Sequence, residues 1–538
     1  MSENRSIVQS TAVLLTLAVL SPAAGMALQM VLAYIYGSGP LVDGFRVGVL
    51  LVQFGRQFFL GQILVAIIVP MLTEHRAQGE LLTGLRLAFT AGLFLLVFLT
   101  PAMLVALFRP SWLQSLLAPG LNGGGGRSAR FFIRVFALTL VALCFTGIAN
   151  AILHGYRVFW LKRTRQLLRN FIVIVCILIA GAYAEYWSLA AGVLLGTIAG
   201  VGIGAYWLLK ALGDSNIGPC DIMVPHFSRE LFRMGKMALP LMGALISVQW
   251  IMVVLYRCMS AFPAGTLANF GYSWKLRQGG VLIPICLSTV LFPSFSRCAA
   301  EDDISELRRL CGRYTKLILF ISVPTAIIVY VCALPITEVV FLRGEMNVAS
   351  VQQIAFYLSI FAFVMPAQAI MRLATKVSFA MKDSLGPFFR QLIIAAGITA
   401  FAVMATELEN SSTVLVTHTG LFWGSTLFLL TYLQIRYGLW TSQRMQGFLF
   451  RMGLLGAVFA AATVAGLHAA QSAITPNSIW GRVGVLAFVG LLGAGVLMSV
   501  GLLLNFSCAR DIWDYGREQL ERAVEACSKV AGLRQEIK

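Results

Sequence analysis

Apolar runs bounded by charge, proline and glycine recur along the chain almost without a break from Thr11 to Phe506. A hydrocarbon core near 30 Å thick asks for about 20 apolar residues per helix. The runs predict spans over residues 11–36, 43–72, 84–108, 131–155, 167–187, 188–209 and 237–257. A second set follows over 267–296, 314–342, 352–375, 387–405, 412–435, 452–474 and 483–507. The pattern is that of an all-α, polytopic membrane protein with about fourteen transmembrane helices. After Phe506, the tail mixes charge with Ile512, Leu520, Val524 and Leu533 at helical spacing, which predicts an amphipathic helix on the membrane surface.

Composition agrees: 58% of the 538 residues are hydrophobic and 12% charged, against about 25% charged in a soluble domain. The net charge of +18 sits mainly in short connectors, so it reads as a topology signal and not as a nucleic-acid footprint. With a cytoplasmic N-terminus, the cytoplasmic connectors hold 23 Lys and Arg residues, including Arg157, Lys162, Arg163, Arg165 and Arg169; the opposite connectors hold 7. This obeys the positive-inside rule and places both termini in the cytoplasm. The polar stretch Met1–Ser10 and the long run after it argue against a cleavable signal peptide. Gly123 to Gly126 reads as a flexible tether in the main extracytoplasmic loop. Ten cysteines without a C-x-x-C pair or a Cys/His cluster read as small core residues, and neither a metal nor a cofactor is expected.

An internal repeat is visible. The stretch ILVAIIVPMLTEHRAQGE from Ile63 parallels CLSTVLFPSFSRCAAEDD from Cys286, with Pro70 matching Pro293. Duplication of this kind builds two bundles around a central site in transporters.

Ionisable groups within spans are costly, about 2.5 to 3.5 kcal/mol at a helix centre, and mark cavities or partners. The second span carries Asp43, Arg46 and Arg56. Arg46 and Arg56 are ten residues apart, close to three turns, so they project near one side. Asp43 and Arg46 are also spaced to pair at an interface. In the eighth span Lys275 and Arg277 have no carboxylate beside them, which favours an anionic ligand, although Lys275 is also placed to snorkel. Gln29, Ser247, Gln249 and Ser273 are polar enough to line a path, and Asn150, His154, Arg372 and His418 are weaker candidates. The chain has no P-loop, so movement falls to an ion gradient, the membrane potential or the substrate's own gradient. Asp302 and Asp303 read as a solvated turn.

Gly37-Ser-Gly, Val42-Asp43-Gly-Phe, Arg56 and Val69-Pro70-Met-Leu-Thr-Glu, in that order, resemble the first helix pair of the MurJ (MviN) lipid II flippases of the MOP exporter superfamily. Ala118-Pro119-Gly120, Ala151 to Tyr156, Leu291 to Ser296, Val340 to Gly344 and Lys382 to Pro387 continue the match over roughly residues 10 to 505. The resemblance implies a six-helix lobe over 1–211, a second over 212–445, two further transmembrane helices over 446–507 and a cytoplasmic tail over 508–538. It also implies a bacterial inner-membrane protein with a central cationic cavity. By alternating access, such a protein flips an undecaprenyl-pyrophosphate-linked saccharide outward through membrane lipid, beside enzymes of cell-wall or polysaccharide assembly. Arg46, Arg56, Lys275 and Arg277 then bind the pyrophosphate and Asp43 orients or gates an arginine. The sequence departs from the family where its first helix carries an arginine pair and an aspartate, which here are Pro22, Leu28 and Gln29; the Asp-Arg pair of helix eight appears as Ser273 and Trp274. The eleventh and twelfth spans lack a mid-membrane carboxylate for a sodium site. Lipid II and another lipid-linked oligosaccharide, such as an exopolysaccharide or O-antigen unit, are therefore both open. So are an exporter of amphipathic cations, a membrane glycosyltransferase and a non-transporting scaffold.

Overall fold

In hydrocarbon a peptide group has no water to bond, so a spanning chain satisfies its backbone within each segment as helix. The computed structural model describes all residues except 1, 60–61, 157, 159, 216, 405–409, 441, 474–477, 511–512, 515–516 and 518–538; side chains are further undescribed at 2–15, 18–19, 58–59, 62–67, 233–241, 244, 285 and 442–444. No strand occurs among the described residues. The helices of the first half are α1 (Ser2–Tyr36), α2 (Pro40–Phe59), α3 (Gln62–Ala77), α4 (Leu81–Phe108), α5 (Pro110–Leu117), α6 (Gly123–Gly155), α7 (Leu161–Ala180), α8 (Glu185–Gly213), α9 (Pro219–Ile222) and α10 (Arg229–Met259). Those of the second half are α11 (Thr266–Gly280), α12 (Leu282–Ala300), α13 (Ile304–Val331), α14 (Ala333–Phe341), α15 (Val348–Ala362), α16 (Val364–Ala380), α17 (Leu385–Met404), α18 (Ser411–Tyr437), α19 (Ser442–Ala473) and α20 (Ile479–Leu503).

Several predicted spans are divided. The span over 43–72 is α2 and α3, and that over 267–296 is α11 and α12, broken at Val281. The span over 352–375 is α15 and α16, bent by 45° at Phe363. The glycine run is a correction: Gly123 to Gly126 is not a tether but the first turn of α6, where Gly126 packs against the Leu121 carbonyl too closely for a side chain. Most of the predicted surface helix after Phe506 lies outside the described residues.

Among the described residues, nine helices are long and apolar enough to cross a membrane, ten if the bent pair counts once. The expected fourteen are not all reached on this criterion. Helix α2 holds Asp43, Arg46 and Arg56, α7 holds Lys162, Arg163, Arg165 and Arg169, and α11 has only 15 residues. Charge thus keeps α2 and α7 below that mark and shortness keeps α11 below it, while the described apolar parts of α1 and α10, Leu20–Tyr36 and Leu245–Met259, are themselves short.

Two compact units are formed, one of Met1–Leu276, Val340–Tyr357 and Gln391–Leu421, the other of Arg277–Val339, Leu358–Arg390 and Phe422–Lys538. In the first, α2 lies against α6, which also meets α4 and α8, and α7 packs on α1 and α8. Small residues bring the backbones together: a Cβ on Gly48 would meet Phe132 Cβ at 2.5 Å, and Gly44 and Gly55 press on Ser128 and Leu140 in the same way. In the second, α12 and α13 pack on α16 around Phe295, Cys311 and Leu373, and α13 receives α19 and α20 around Phe320, Phe448 and Phe506. Large apolar side chains such as Phe94, Val97 and Phe98 of α4 face outward, as a lipid-facing surface requires.

Candidate functional site

The first unit gathers helix ends into a latch. Gly37, in the left-handed conformation at φ +60°, turns α1 into α2, and its carbonyl accepts the Tyr272 hydroxyl at 2.9 Å. Glu345 N–H donates to Tyr34 O at 3.0 Å, and Ser38 Oγ donates to Ser350 Oγ at 2.5 Å. Asn269 Nδ2 donates to Gln353 Oε1 at 2.7 Å, and Tyr357 meets Ser411 at 2.6 Å. Asp43, 1% exposed, spends both carboxylate oxygens on α11, accepting Gly265 N–H at 2.6 Å and Ala268 N–H at 2.7 Å. A carboxylate at a helix N-terminus is stabilised by the unpaired N–H groups there. Every connector in this latch is one that the cation bias assigns to the extracytoplasmic side.

A row of cations runs on from the latch. Arg46, 9% exposed, holds its guanidinium 4.7 Å from the Tyr272 ring centroid and lies flat on Gly271, where a Cβ would be 2.6 Å from Arg46 Nε. Its Nε and Nη2 are buried and meet no hydrogen-bond partner among the described residues. One turn beyond Gly271, Lys275 Nζ packs over Gly25 of α1, 3.2 Å from where a Cβ would stand, with Asn170 of α7 alongside. Lys275 lies within the field of Arg46, Arg56 and Arg169. Helices α2, α7 and α11 therefore bring cations together from positions 46 to 275, uniting three of the four predicted cationic residues.

Past Lys275 the row opens into a cleft of about 480 Å³, mouth included, between α2, α6, α7 and α8. Arg56, Lys162, Arg165 and Arg169 line it, with Gln166, Thr146 and Thr197 and, among the described residues, no carboxylate. Arg165, 6% exposed, is fixed by neutral acceptors only: Nη2 donates to Asn150 Oδ1 at 2.8 Å and Nη1 to Thr146 O at 3.2 Å. Room for these side chains comes from α8, where a Cβ on Gly196 would lie 2.7 Å from Arg169 Cγ and one on Gly204 3.1 Å from Arg165 Nη1. By the positive-inside rule the α7 cations read only as connector charge. The spacing of Lys162, Arg165 and Arg169 is the signal that places them on one helical face.

None of the other predicted residues is among those that line the cleft. Arg277 belongs to the second unit, buried, with its guanidinium 5.1 Å from the Phe361 ring centroid and Arg372 as the neighbouring cation. Ser247 and Ser273 bond back to Gly243 O and Phe270 O of their own helices, and Ser273 is fully buried. Gln249 is buried with no hydrogen bond to Nε2 among the described residues, and Gln29 Oε1 is in the same state. No group of three or more His, Cys, Asp or Glu able to hold a metal occurs among the described residues.

The family described as Lipid II flippase MurJ matches residues 32–482. The chain belongs to that family. Relatives of this MurJ-family chain include the Lipid II flippase MurJ of Burkholderia cenocepacia, 22% identical over 75% of this chain and 77% of that one. The protein named "Probable lipid II flippase MurJ" in Vibrio cholerae is 22% identical over 93% of this chain and 96% of its own length. Among solved structures, a Lipid II flippase MurJ in an inward closed conformation is similar over 94% of this chain and 99% of the other, with a TM-score of 0.74 at 16% identity. An inward-facing MATE-family multidrug transporter of the MOP superfamily matches over 79% of this chain and 98% of the other, with a TM-score of 0.66 at 14% identity. The MurJ-family chain thus shares the helical transporter fold of both groups and is a multi-pass inner-membrane protein.

Proposed function

We propose that the chain is a flippase that carries an undecaprenyl-pyrophosphate-linked saccharide, lipid II or a related lipid-linked oligosaccharide, from the cytoplasmic to the periplasmic leaflet by alternating access. The observation that carries this reading is the cleft lined by Arg56, Lys162, Arg165 and Arg169 with no carboxylate among the described residues, beside the meeting of Lys275 and Asn170 at Gly25. Two unit charges about 8 Å apart repel by about 2 kcal/mol at an effective dielectric constant of 20, so such a row favours a multivalent anion. A diphosphate supplies two or more negative charges and several acceptor oxygens, and guanidinium groups match its geometry. Its polyprenyl tail stays in lipid throughout.

In this reading both termini are cytoplasmic, the lobes are residues 1–211 and 212–445, the helices over 446–507 are additional and 508–538 is a cytoplasmic tail. The latch closes the periplasmic end, with Asp43 tying α2 to α11 beside Arg46. Arg277, with Arg372 as its neighbouring cation, is the predicted cation of the second unit. An inside-negative membrane potential assists outward movement of a bound anion by about 2.3 kcal/mol per charge per 100 mV. Enzymes of cell-wall or polysaccharide assembly would supply and consume the carrier.

A lining of four cations, with no carboxylate among the described residues, disfavours an exporter of cationic drugs. The test is translocation of lipid II and of another undecaprenyl-pyrophosphoryl sugar by proteoliposomes. Arg56→Gln should lower the rate about ten- to a hundredfold, as expected for one charge-assisted contact, with unchanged membrane protein. An unaltered rate, or no translocation of any such lipid by the unmodified chain, would overturn the proposal.

A further inference from the structure

Helix α7 begins beside Trp160, at the connector the cation bias assigns to the cytoplasm, and Lys162 at its start is exposed. Arg169 lies about 12 Å deeper along that helix at 1.5 Å per residue. From the latch end, α11 runs inward from Thr266 and reaches Lys275 after about 14 Å. The two helices meet at Gly25, where Lys275 Nζ and Asn170 Nδ2 are both in contact range, and Arg169 Nη2 donates to Asn170 Oδ1 at 3.3 Å. Together they mark most of a hydrocarbon core near 30 Å thick.

The cationic face of α7 has a counterpart in the repeat. Arg165-Gln166-Leu167-Leu168 near the start of α7 recurs as Arg390-Gln391-Leu392-Ile393 near the start of α17. Both arginines are buried, at 6% and 5% exposure, but their surroundings differ. Arg390 lies 4.9 Å from the centroid of the Phe422 ring, whereas Arg165 looks into the cleft with Arg56, Lys162 and Arg169. The duplicated arginine faces a cation-lined opening in the first copy.

We infer that Lys162, Arg165 and Arg169 form a phosphate-binding station on the cytoplasmic side, which takes the diphosphate of the lipid carrier and passes it to Lys275 and Arg46. This deepens the flippase reading and rests on it for the identity of the carrier, while anion binding by α7 is measurable by itself. Arg165 is the fixed post, with two of its nitrogens held by Asn150 and Thr146. Lys162 and Arg169, on either side, close on the anion. Relief of their mutual repulsion makes the site selective for a multivalent phosphate over a monovalent anion.

The experiment is calorimetric titration of the full chain, in nanodiscs of phosphatidylcholine, with inorganic pyrophosphate. Saturable binding is expected, weakened at least about tenfold in Lys162→Gln/Arg169→Gln, the loss of about 1.4 kcal/mol in binding. Lys162→Gln alone, at an exposed position, should weaken binding by a smaller factor, Arg169→Lys should retain most of it, and Lys210→Gln, exposed on α8 outside the cleft, should leave it unchanged. Equal affinity in the double variant and the unmodified chain, or no binding at all, overturns the inference. A second set of nanodiscs containing phosphatidylglycerol separates the sources of phosphate. Pyrophosphate affinity unchanged there supports the carrier; its abolition shows an anionic lipid headgroup in the station and overturns the assignment to the carrier. Pyrophosphate binding that depends on α7, found together with no lipid translocation, would remove the flippase reading and leave the α7 site standing.

Discussion

Arg46 shows what a single buried cation needs. Its guanidinium lies on the face of Tyr272 and against the bare backbone of Gly271, an arrangement that a methyl group on residue 271 would disturb at 2.6 Å from Nε. Replacing glycine by alanine inside a helix normally gains about 1 kcal/mol of helix propensity. Gly271→Ala should therefore leave the thermal unfolding midpoint nearly unchanged while translocation falls about tenfold, since the arginine must leave its place. Translocation at the original rate would show that the position of Arg46 is immaterial. Arg46, Arg56 and Lys275 are legible in the sequence because a charge inside an apolar run has few bland explanations. Lys162, Arg165 and Arg169 are not, because the positive-inside rule accounts equally well for cations at a cytoplasmic helix end. Asp43 is legible as a buried carboxylate but not as a cap for α11, since its N–H partners lie more than two hundred residues away in sequence.

At the scale of elements, hydropathy marks the positions of the helices and misses their breaks. Val281 between α11 and α12 is itself apolar and runs on into Leu282 and Ile283, so hydropathy does not mark the break, and only the Gly279-Gly280 pair before it does. The glycine run at the start of α6 misleads in the other direction, because glycine usually signals a turn, whereas here the run is helical and close approach to the Leu121 carbonyl demands glycine at residue 126. Connector chemistry is also hidden. Asp383, between α16 and α17 and 5% exposed, accepts hydrogen bonds from the Tyr432 hydroxyl at 2.8 Å, Leu385 N–H at 3.0 Å and the Tyr437 hydroxyl at 3.2 Å. Burial alone would raise its carboxyl, but these donors outweigh burial and hold it below the ordinary carboxylate range. A group whose folded pKa is depressed contributes stability above its unfolded pKa of about 3.9 and loses it as pH falls through the folded value. Asp383→Asn should cost about 1 to 3 kcal/mol at neutral pH. In a thermal scan the gap to the unmodified chain should stay constant down to about pH 5 and close only in stronger acid; a gap that closed near pH 7 would contradict this origin.

Over the whole molecule, the repeat and the alternation of connector charge are visible in the sequence, the first as duplicated residues and the second because cations are kept on one side of the bilayer. The number of spans is less accessible. Helices α2, α7 and α11 carry charge or end early, so length and hydropathy do not mark them as spans, and the same charges make them the helices of the candidate site. The latch is invisible in sequence because it joins turns around residues 37, 265, 345 and 411, each ordinary when taken alone. In the proposed flippase reading, a headgroup that enters at α7 leaves past Arg46, and that exit requires the latch to part.

The most direct test uses the contact of Ser38 Oγ with Ser350 Oγ at 2.5 Å, converted to a disulfide by Ser38→Cys/Ser350→Cys in a chain whose ten cysteines have been replaced. Translocation of the lipid-linked saccharide by proteoliposomes is measured before and after reduction. The oxidised chain should bind inorganic pyrophosphate normally and translocate nothing, and a reductant should restore translocation. Equal translocation by the oxidised and reduced chains would contradict transport through an opening of this end.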